Sequence, residues 1–223
     1  MKKIVIIAVF LLTTMAAFCQ ASYNIRFGLQ LSPTFSWMQS EASNINRNGV
    51  NIGLKLAMLG EYYFAENYAV TSGLGFAFNH GGTLRYDQEA TNYWNNGAEL
   101  QRADLKYSVQ YIEIPVGLKM RTREFGYLRY YGEPYIAFSF RSQSRGDIKG
   151  TDRNDIDIKE FVNPIAMSWG IGIGAEYSIS ESTSLIGGLY LQNMFTDMTK
   201  DVELGDNSNS NLDGLVLRLG VLF

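Results

Sequence analysis

Eight stretches of this chain alternate greasy and polar side chains with a period of two, and that pattern constrains its fold more than any other feature. From Tyr23 the odd positions read Tyr23, Ile25, Phe27, Leu29, Leu31, Phe35 and Trp37, while the even positions are Asn24, Arg26, Gln30, Ser32, Thr34 and Ser36. Successive side chains of a strand point to opposite faces, so this run is a strand with one apolar side. Further runs show Ile52, Leu54, Leu56, Met58, Tyr62 and Phe64, then Tyr68, Val70, Leu74, Phe76 and Phe78. The fourth changes phase, from Leu105, Tyr107, Val109 and Tyr111 to Ile112, Ile114, Val116, Leu118 and Met120. A β-bulge near Tyr111 would restore the face, because one extra residue shifts the parity. The fifth to eighth runs are led by Leu128 to Phe140, Ile165 to Tyr177, Leu185 to Phe195 and Leu215 to Phe223. Nearly all reach the roughly 9–11 residues that a tilted strand needs to span a bilayer.

The connections alternate long and short. Long polar stretches run from Gln39 to Val50, His80 to Asp104, Ser142 to Glu160 and Thr196 to Asp213. Between them lie short turns at Ala65 to Asn67, Arg121 to Gly126 and Ser180 to Ser182. That rhythm belongs to an all-β, eight-stranded antiparallel up-and-down transmembrane β-barrel with short periplasmic turns and long extracellular loops. Closure has a physical cause, since an open edge in lipid would leave a row of backbone N–H and C=O groups unpaired. Composition agrees: only 18% of residues are charged, against 14 Tyr, 13 Phe and 22 Gly, a mixture suited to strands rather than a soluble globule.

The polar face must then be the lumen. It carries Arg26, Lys55, Glu61, Glu113, Lys119, Arg129, Glu133, Arg141, Glu176 and Arg218. The signs are mixed, so an internal ion-pair network of structural role is expected. Glu113 and Lys119 on the fourth strand should pair across to Arg129 and Glu133 on the fifth. Glycines 73, 75, 170, 172, 174 and 188 leave room for long inward side chains. Eight strands enclose a space that side chains fill, so no open solute pore is expected. Two aromatic girdles are expected as well. Tyr23, Phe27, Tyr62, Phe64, Tyr68, Tyr177 and Phe223 would form the periplasmic one, with Phe35, Trp37, Phe78, Phe140 and Phe195 at the other.

The chain opens Met1-Lys2-Lys3 followed by an apolar run to Phe18, which fits a secretory signal peptide and is short for a membrane helix. Residues 1–19 are expected to be cleaved before Gln20, or two residues later, leaving 20–223 as the barrel domain. A lipoprotein acylated at Cys19 is disfavoured by bulky Phe18 before it. One cysteine excludes an intramolecular disulfide framework and multi-cysteine zinc sites. The net charge of -3 gives no electrostatic case for binding nucleic acid.

Few residues suggest chemistry. His80 is the sole histidine, with Asp87, Asp104 and Ser108 as conceivable companions. A nucleophile needs a base within reach and a third group to orient it, and this spacing shows no such contacts. A solvated rim histidine is expected, with no catalytic residue and no cofactor. Asp197, Asp201, Glu203, Asp206 and Asp213 in the last long loop carry calcium-type donors. Their spacing does not match the twelve-residue calcium loop, so a solvated acidic loop and no metal is the expectation.

The run Tyr111-Ile112-Glu113-Ile114-Pro115-Val116-Gly117-Leu118-Lys119-Met120 resembles the Y-[IL]-E-I-P-x-x-x-K strand of the PorT-like outer membrane β-barrel proteins of Bacteroidetes. The stretch EFGYLRYYGEPYIAFSFR, Glu124 to Arg141, is similar to the next strand of that family. Leu219 to Phe223 resembles the aromatic-ended terminal strand read by the barrel-assembly machinery, with Phe223 as the assembly signal. The resemblance covers essentially the whole mature chain. It implies location in the cell outer membrane, contact with outer-membrane lipid, and no single activity, since some relatives serve type IX protein secretion.

The expected function is therefore a small non-enzymatic barrel with a structural or protein-interaction role in the cell envelope. Its partners would be other envelope or secretion-system proteins. The alternatives are a barrel hydrolase or acyltransferase, and a soluble lipocalin-like binder of a hydrophobic ligand. The last requires the greasy face inside and the charged face outside.

Overall fold

The computed structural model describes residues 25–95, 99–200 and 210–223, so the segment 1–19 expected to be cleaved lies outside the described residues. Nine strands are present among them: β1 Ile25–Ser40, β2 Ile45–Ala65, β3 Tyr68–Asn92, β4 Glu99–Arg121, β5 Leu128–Lys149, β6 Ile156–Asp157, β7 Ile165–Ser178, β8 Ser184–Met194 and β9 Ser210–Leu222. The strand beyond the expected eight is the two-residue β6, which pairs with Arg145 and Gly146 of β5.

The eight long strands pair antiparallel in the order β4-β3-β2-β1-β9-β8-β7-β5, and β5 pairs back onto β4. Each long strand thus has two neighbours, and the ladder returns on itself. The seam of first and last strands extends to the chain end, where Phe27 and Phe223 exchange two backbone hydrogen bonds of 2.9 and 2.8 Å.

The greasy face points outward. Ile52, Leu54, Leu56, Met58, Tyr62 and Phe64 of β2 are exposed, as are Ile114, Val116, Leu118 and Met120 of β4 and Ile165, Trp169, Ile171, Ile173 and Tyr177 of β7. Their opposite numbers, among them Lys55, Glu61, Glu113, Lys119 and Glu176, are buried. That inverts the lipocalin arrangement and excludes it. Exposed aromatics ring both ends of the band. Tyr62, Phe64, Tyr68 and Tyr177 at the turn end are joined by Phe125, Tyr127 and Tyr130, while Phe35, Phe78, Phe140 and Phe195 mark the other. Of the remaining girdle residues expected, Phe27, Trp37 and Phe223 are half-buried and Tyr23 lies outside the described residues.

Three of the long connections are not the loops expected. β2 to β5 run 21, 25, 23 and 22 residues, against 16, 14, 11 and 13 for β1, β7, β8 and β9. Much of Gln39–Val50, His80–Asp104 and Ser142–Glu160 is therefore strand, and the β2–β5 wall rises beyond the greasy band on one side.

In this upper wall the chemistry of the two faces reverses. Leu84, Tyr86, Ala103, Leu105, Tyr107 and Ile148 point inward and are buried with Tyr93, Trp94, Ile158, Val162, Met198 and Leu212. The outward face carries Arg85, Asp87, Arg102, Asp104, Lys106 and Asp147 in cross-strand ion pairs.

The phase change in the fourth run has a different cause from the expected bulge in β4. Tyr107, Val109, Tyr111 and Glu113 all stay on the buried face, so the alternation of β4 is unbroken. What changes is the lumen, apolar above Tyr111 and charged below it. The irregularity lies opposite, where Gln110 pairs with Gln143 but Tyr111 with Arg141, leaving Ser142 as the extra residue of β5. A second bulge interrupts β3 between Ala77 and His80, with Asn79 at φ 55°. Asparagine tolerates that left-handed backbone. Its amide donates to the Ile52 carbonyl at 2.7 Å, and Ser108 donates to its carbonyl oxygen.

The charged lumen and its apolar cap

Side chains from all eight long strands converge on the lumen in three tiers. Nearest the turn end, Glu176 of β7 is fully buried and meets Arg26 of β1 at 3.2 Å, Lys119 of β4, and Arg121 of β4 at 3.8 Å. Lys119 also donates to Glu61 of β2 at 2.7 Å, and the Tyr63 hydroxyl donates to the same carboxylate at 2.7 Å. Arg26 donates to Ser184 of β8 at 2.8 Å. The middle tier centres on Glu133 of β5. It accepts from Thr71 of β3 at 2.7 Å, Tyr190 of β8 at 2.5 Å and Arg218 of β9 at 2.5 Å. The Arg218 guanidinium also stacks 3.8 Å above the Tyr190 ring. In the upper tier Lys55 lies 2.8 Å from Glu113 and donates to Gln192 at 2.7 Å, and Gln192 donates to Ser168 at 2.8 Å.

This arrangement follows from the fold. A charge removed from water is tolerable when it is paired and its remaining hydrogen-bonding capacity is met. Each buried carboxylate here has a cation, and Glu61, Glu133 and Glu113 also draw on hydroxyl or amide neighbours. Glycines make room for the tyrosines rather than for the charged chains. A Cβ at Gly172 would run into the Tyr190 ring, and one at Gly170 into the Tyr135 ring.

Eight of the ten expected lumen residues lie in these tiers: Arg26, Lys55, Glu61, Glu113, Lys119, Glu133, Glu176 and Arg218. Arg129 does not. It sits at the turn end, where it contacts Glu124 and lies 3.4 Å from Ser178. Arg141 does not either, because it lies just beyond the start of β7, where Ile165 pairs with Phe140, and it donates there to the Lys159 and Val162 carbonyls.

The expected pairing of Glu113 and Lys119 with Arg129 and Glu133 is absent. Register sets Glu113 opposite Ser139, with Arg129 ten residues away at the far end of β5. Long inward side chains instead cross the lumen to non-neighbouring strands. Sequence reasoning misses Arg121, although it is the next inward position after Lys119. It misses Tyr63, the next inward position after Glu61 on β2, and it misses Thr71, Tyr190 and Gln192 as partners because their contacts to Glu133 and Lys55 cross the lumen.

Above the tiers sits His80, 1% exposed and edge-on to Tyr111 at 6.2 Å between ring centres. It is no solvated rim residue, because the wall continues past it for another dozen residues. Its conceivable companions lie on the outer face and are engaged there. Asp104 takes two hydrogen bonds from Arg85 at 2.7 and 3.0 Å, Asp87 takes one from Arg102, and Ser108 holds Asn79. The Arg85 hydrogen bonds hold the Asp104 carboxyl below its ordinary range, against the opposing effect of burial.

The apolar cap is tied down by backbone contacts. Asn163 donates to the carbonyls of Asp197 and Thr199 at 2.9 and 3.2 Å, and Lys200 donates to that of Phe161 at 2.9 Å. Asp197 accepts from the backbone of Thr199 and Ser210. Asp213 accepts from Gln39 at 2.7 Å and Asn193 at 2.5 Å. Trp169 donates to Asn193 at 3.1 Å, which completes a polar chain over β7, β8, β9 and β1 at the upper edge of the greasy band. Asp201, Glu203 and Asp206 lie outside the described residues. Among the described residues no cluster of metal-ligating side chains forms.

Comparison with curated proteins found no match. Among solved structures, the chain is similar to neisserial surface protein A, with 12% identity, 88% of this chain and 95% of that chain covered, and a TM-score of 0.47. It is similar to the outer membrane protein OprG from Pseudomonas aeruginosa, with 10% identity, 89% and 94% covered, and a TM-score of 0.49. A major outer membrane protein from Thermus thermophilus gives 14% identity, 90% and 99% covered, and a TM-score of 0.48. Residues 18–198 match the family model of the outer membrane protein beta-barrel domain, so the chain belongs to that family and is an outer-membrane protein whose apolar strand faces meet lipid.

Proposed function

We propose that this protein is a closed, non-conducting and non-enzymatic barrel that presents its raised β2–β5 wall to other proteins of the cell envelope. The observation that carries this reading is the filling of the lumen. Three tiers of paired charges occupy its width, and the apolar cluster from Leu84 to Leu212 covers the end above them. The outer face of the raised wall is polar and charge-paired, which suits a contact surface that stays soluble when free.

The short turns belong on the periplasmic side in this reading, and the wall rises outside the cell. The start of β1 and the end of β9 meet at the turn end through Phe27 and Phe223, as suits a chain delivered from the periplasm after cleavage of residues 1–19. The PorT-like resemblance of Tyr111 to Met120 makes type IX secretion components the first partners to test.

Two measurements test the proposal. In planar bilayers the refolded protein should give no stepwise conductance, and regular single-channel steps would overturn the closed lumen. A photo-crosslinking residue at Arg102, on the exposed wall, should yield a discrete adduct in cells. Absence of any adduct from Arg102 and Asn46 would overturn the contact role.

A further inference from the structure

We propose that a cavity at mid-height holds ordered water, which joins the middle and upper charge tiers into one hydrogen-bonded column. The cavity measures about 40 Å³ and is lined by Gln30, Lys55, Glu113, Tyr135, Tyr190 and Arg218 among others. Two of these carry a buried polar atom with no protein partner, the Gln30 Oε1 and the Arg218 Nε. Other atoms of both groups are engaged. Gln30 donates its amide to Ser32 at 2.7 Å, and Arg218 gives Nη1 to Glu133 at 2.5 Å. One orphan is an acceptor and the other a donor, and a water satisfies both without adding charge. Ser32 can donate or accept, so either orientation of the Gln30 amide leaves one polar atom for the water to serve.

Size and charge select the occupant. A water needs roughly 10–15 Å³ of such space and two to four polar partners, so one to three waters fit. A solute does not. A lone anion would meet Glu113 and a lone cation would meet Lys55 and Arg218. A neighbouring cavity of about 10 Å³, lined by Glu61, Thr71, Glu133 and Arg218, falls at the lower limit for one water. The hydrated column proposed here is the one in the larger cavity, between Glu133 and Glu113. Buried water of this kind bridges groups that cannot reach each other and is nearly equivalent to a direct hydrogen bond.

The test is a crystal structure of the mature protein at a resolution that shows waters, for the wild type and for Gln30→Met. Wild-type density is expected within 2.7–3.2 Å, the usual hydrogen-bond range, of both Gln30 Oε1 and Arg218 Nε. In Gln30→Met, which removes the acceptor, the peak nearest residue 30 should be lost. An empty wild-type cavity, or direct bonding of Arg218 Nε to a protein atom, would overturn the proposal. Were Gln30→Met not to fold, the wild-type density alone decides the matter. In the refolded, isotope-labelled wild type, long-lived water cross-peaks to the Arg218 Nε–H are expected, and their absence would also count against the proposal.

Discussion

Lys119 is the most enclosed cation of the lumen, 1% exposed, and it answers two carboxylates, Glu61 and Glu176. Replacing it with methionine keeps much of the side-chain volume but removes the charge from both carboxylates, and with it the ammonium that sits 4.5 Å over the Tyr131 ring. Breaking a buried pair from one side typically costs about 3–5 kcal/mol, because the remaining charge stays desolvated. Arg26 and Arg121 still serve Glu176, so the loss falls mainly on Glu61. Lys119→Met should lower the urea midpoint of the micelle-bound barrel, and Lys119→Met/Glu61→Gln should recover part of that loss. A single variant as stable as the wild type would show that the network contributes no stability. Gly172 makes a second case. A methyl there would overlap the Tyr190 ring, and overpacking of that kind costs about 1–3 kcal/mol. Gly172→Ala should therefore lower the temperature at which the folded gel band disappears, whereas Gly187→Ala, where an added Cβ meets nothing within 4 Å, should not.

At the scale of elements, the raised hairpin of β3 and β4 is held by an apolar inner face and an ionic outer one, and the two can be separated. Leu105 is fully buried in the cap. Leu105→Asp should open the hairpin to limited proteolysis while the membrane part keeps its heat-modified gel shift. Loss of the whole shift would mean that the cap and the band fold as one unit. On the outer face, Asp104 titrates below its ordinary value of 3.8 because Arg85 hydrogen-bonds its ionised form. A depressed carboxylate contributes stability that is present above its unfolded value and is lost as pH falls through the folded one. The fluorescence of Trp94, which packs edge-on against Tyr107 at 5.2 Å, should therefore hold steady at neutral pH. A change below about pH 4 should be smaller in Asp104→Asn.

This hairpin is also where the sequence is hardest to read. Within the band each strand is greasy on one side throughout, because lipid accepts little else, so Ile52 to Phe64 and Ile165 to Tyr177 declare their outward faces directly. Past Asn79 and Ser142 the bulges shift parity, and the outside becomes water. His80 to Asp104 then reads as polar loop, although Leu84, Tyr86, Leu105 and Tyr107 alternate like an ordinary soluble hairpin.

At the scale of the whole molecule, alternation reveals which side chains enter the lumen but not which of them meet. Inwardness of Glu133 follows from its neighbours on β5, yet its partner Arg218 stands on β9, across the ring rather than on an adjoining strand. Such pairings depend on the stagger of the closed sheet, which no local pattern encodes. The seam that closes the ring supplies the last test, because it separates folding from assembly. Phe223 binds Phe27 through its backbone, and the proposed assembly signal resides in its ring. Phe223→Ala keeps both backbone hydrogen bonds. It should refold in detergent with a near-normal urea midpoint but reach the outer membrane of cells at a markedly lower level. Deleting residue 223 removes the bonds as well and should impair both. Normal membrane levels for Phe223→Ala would assign the residue to the seam alone, and a refolding defect as large as that of the deletion would show that the ring is needed to close the barrel.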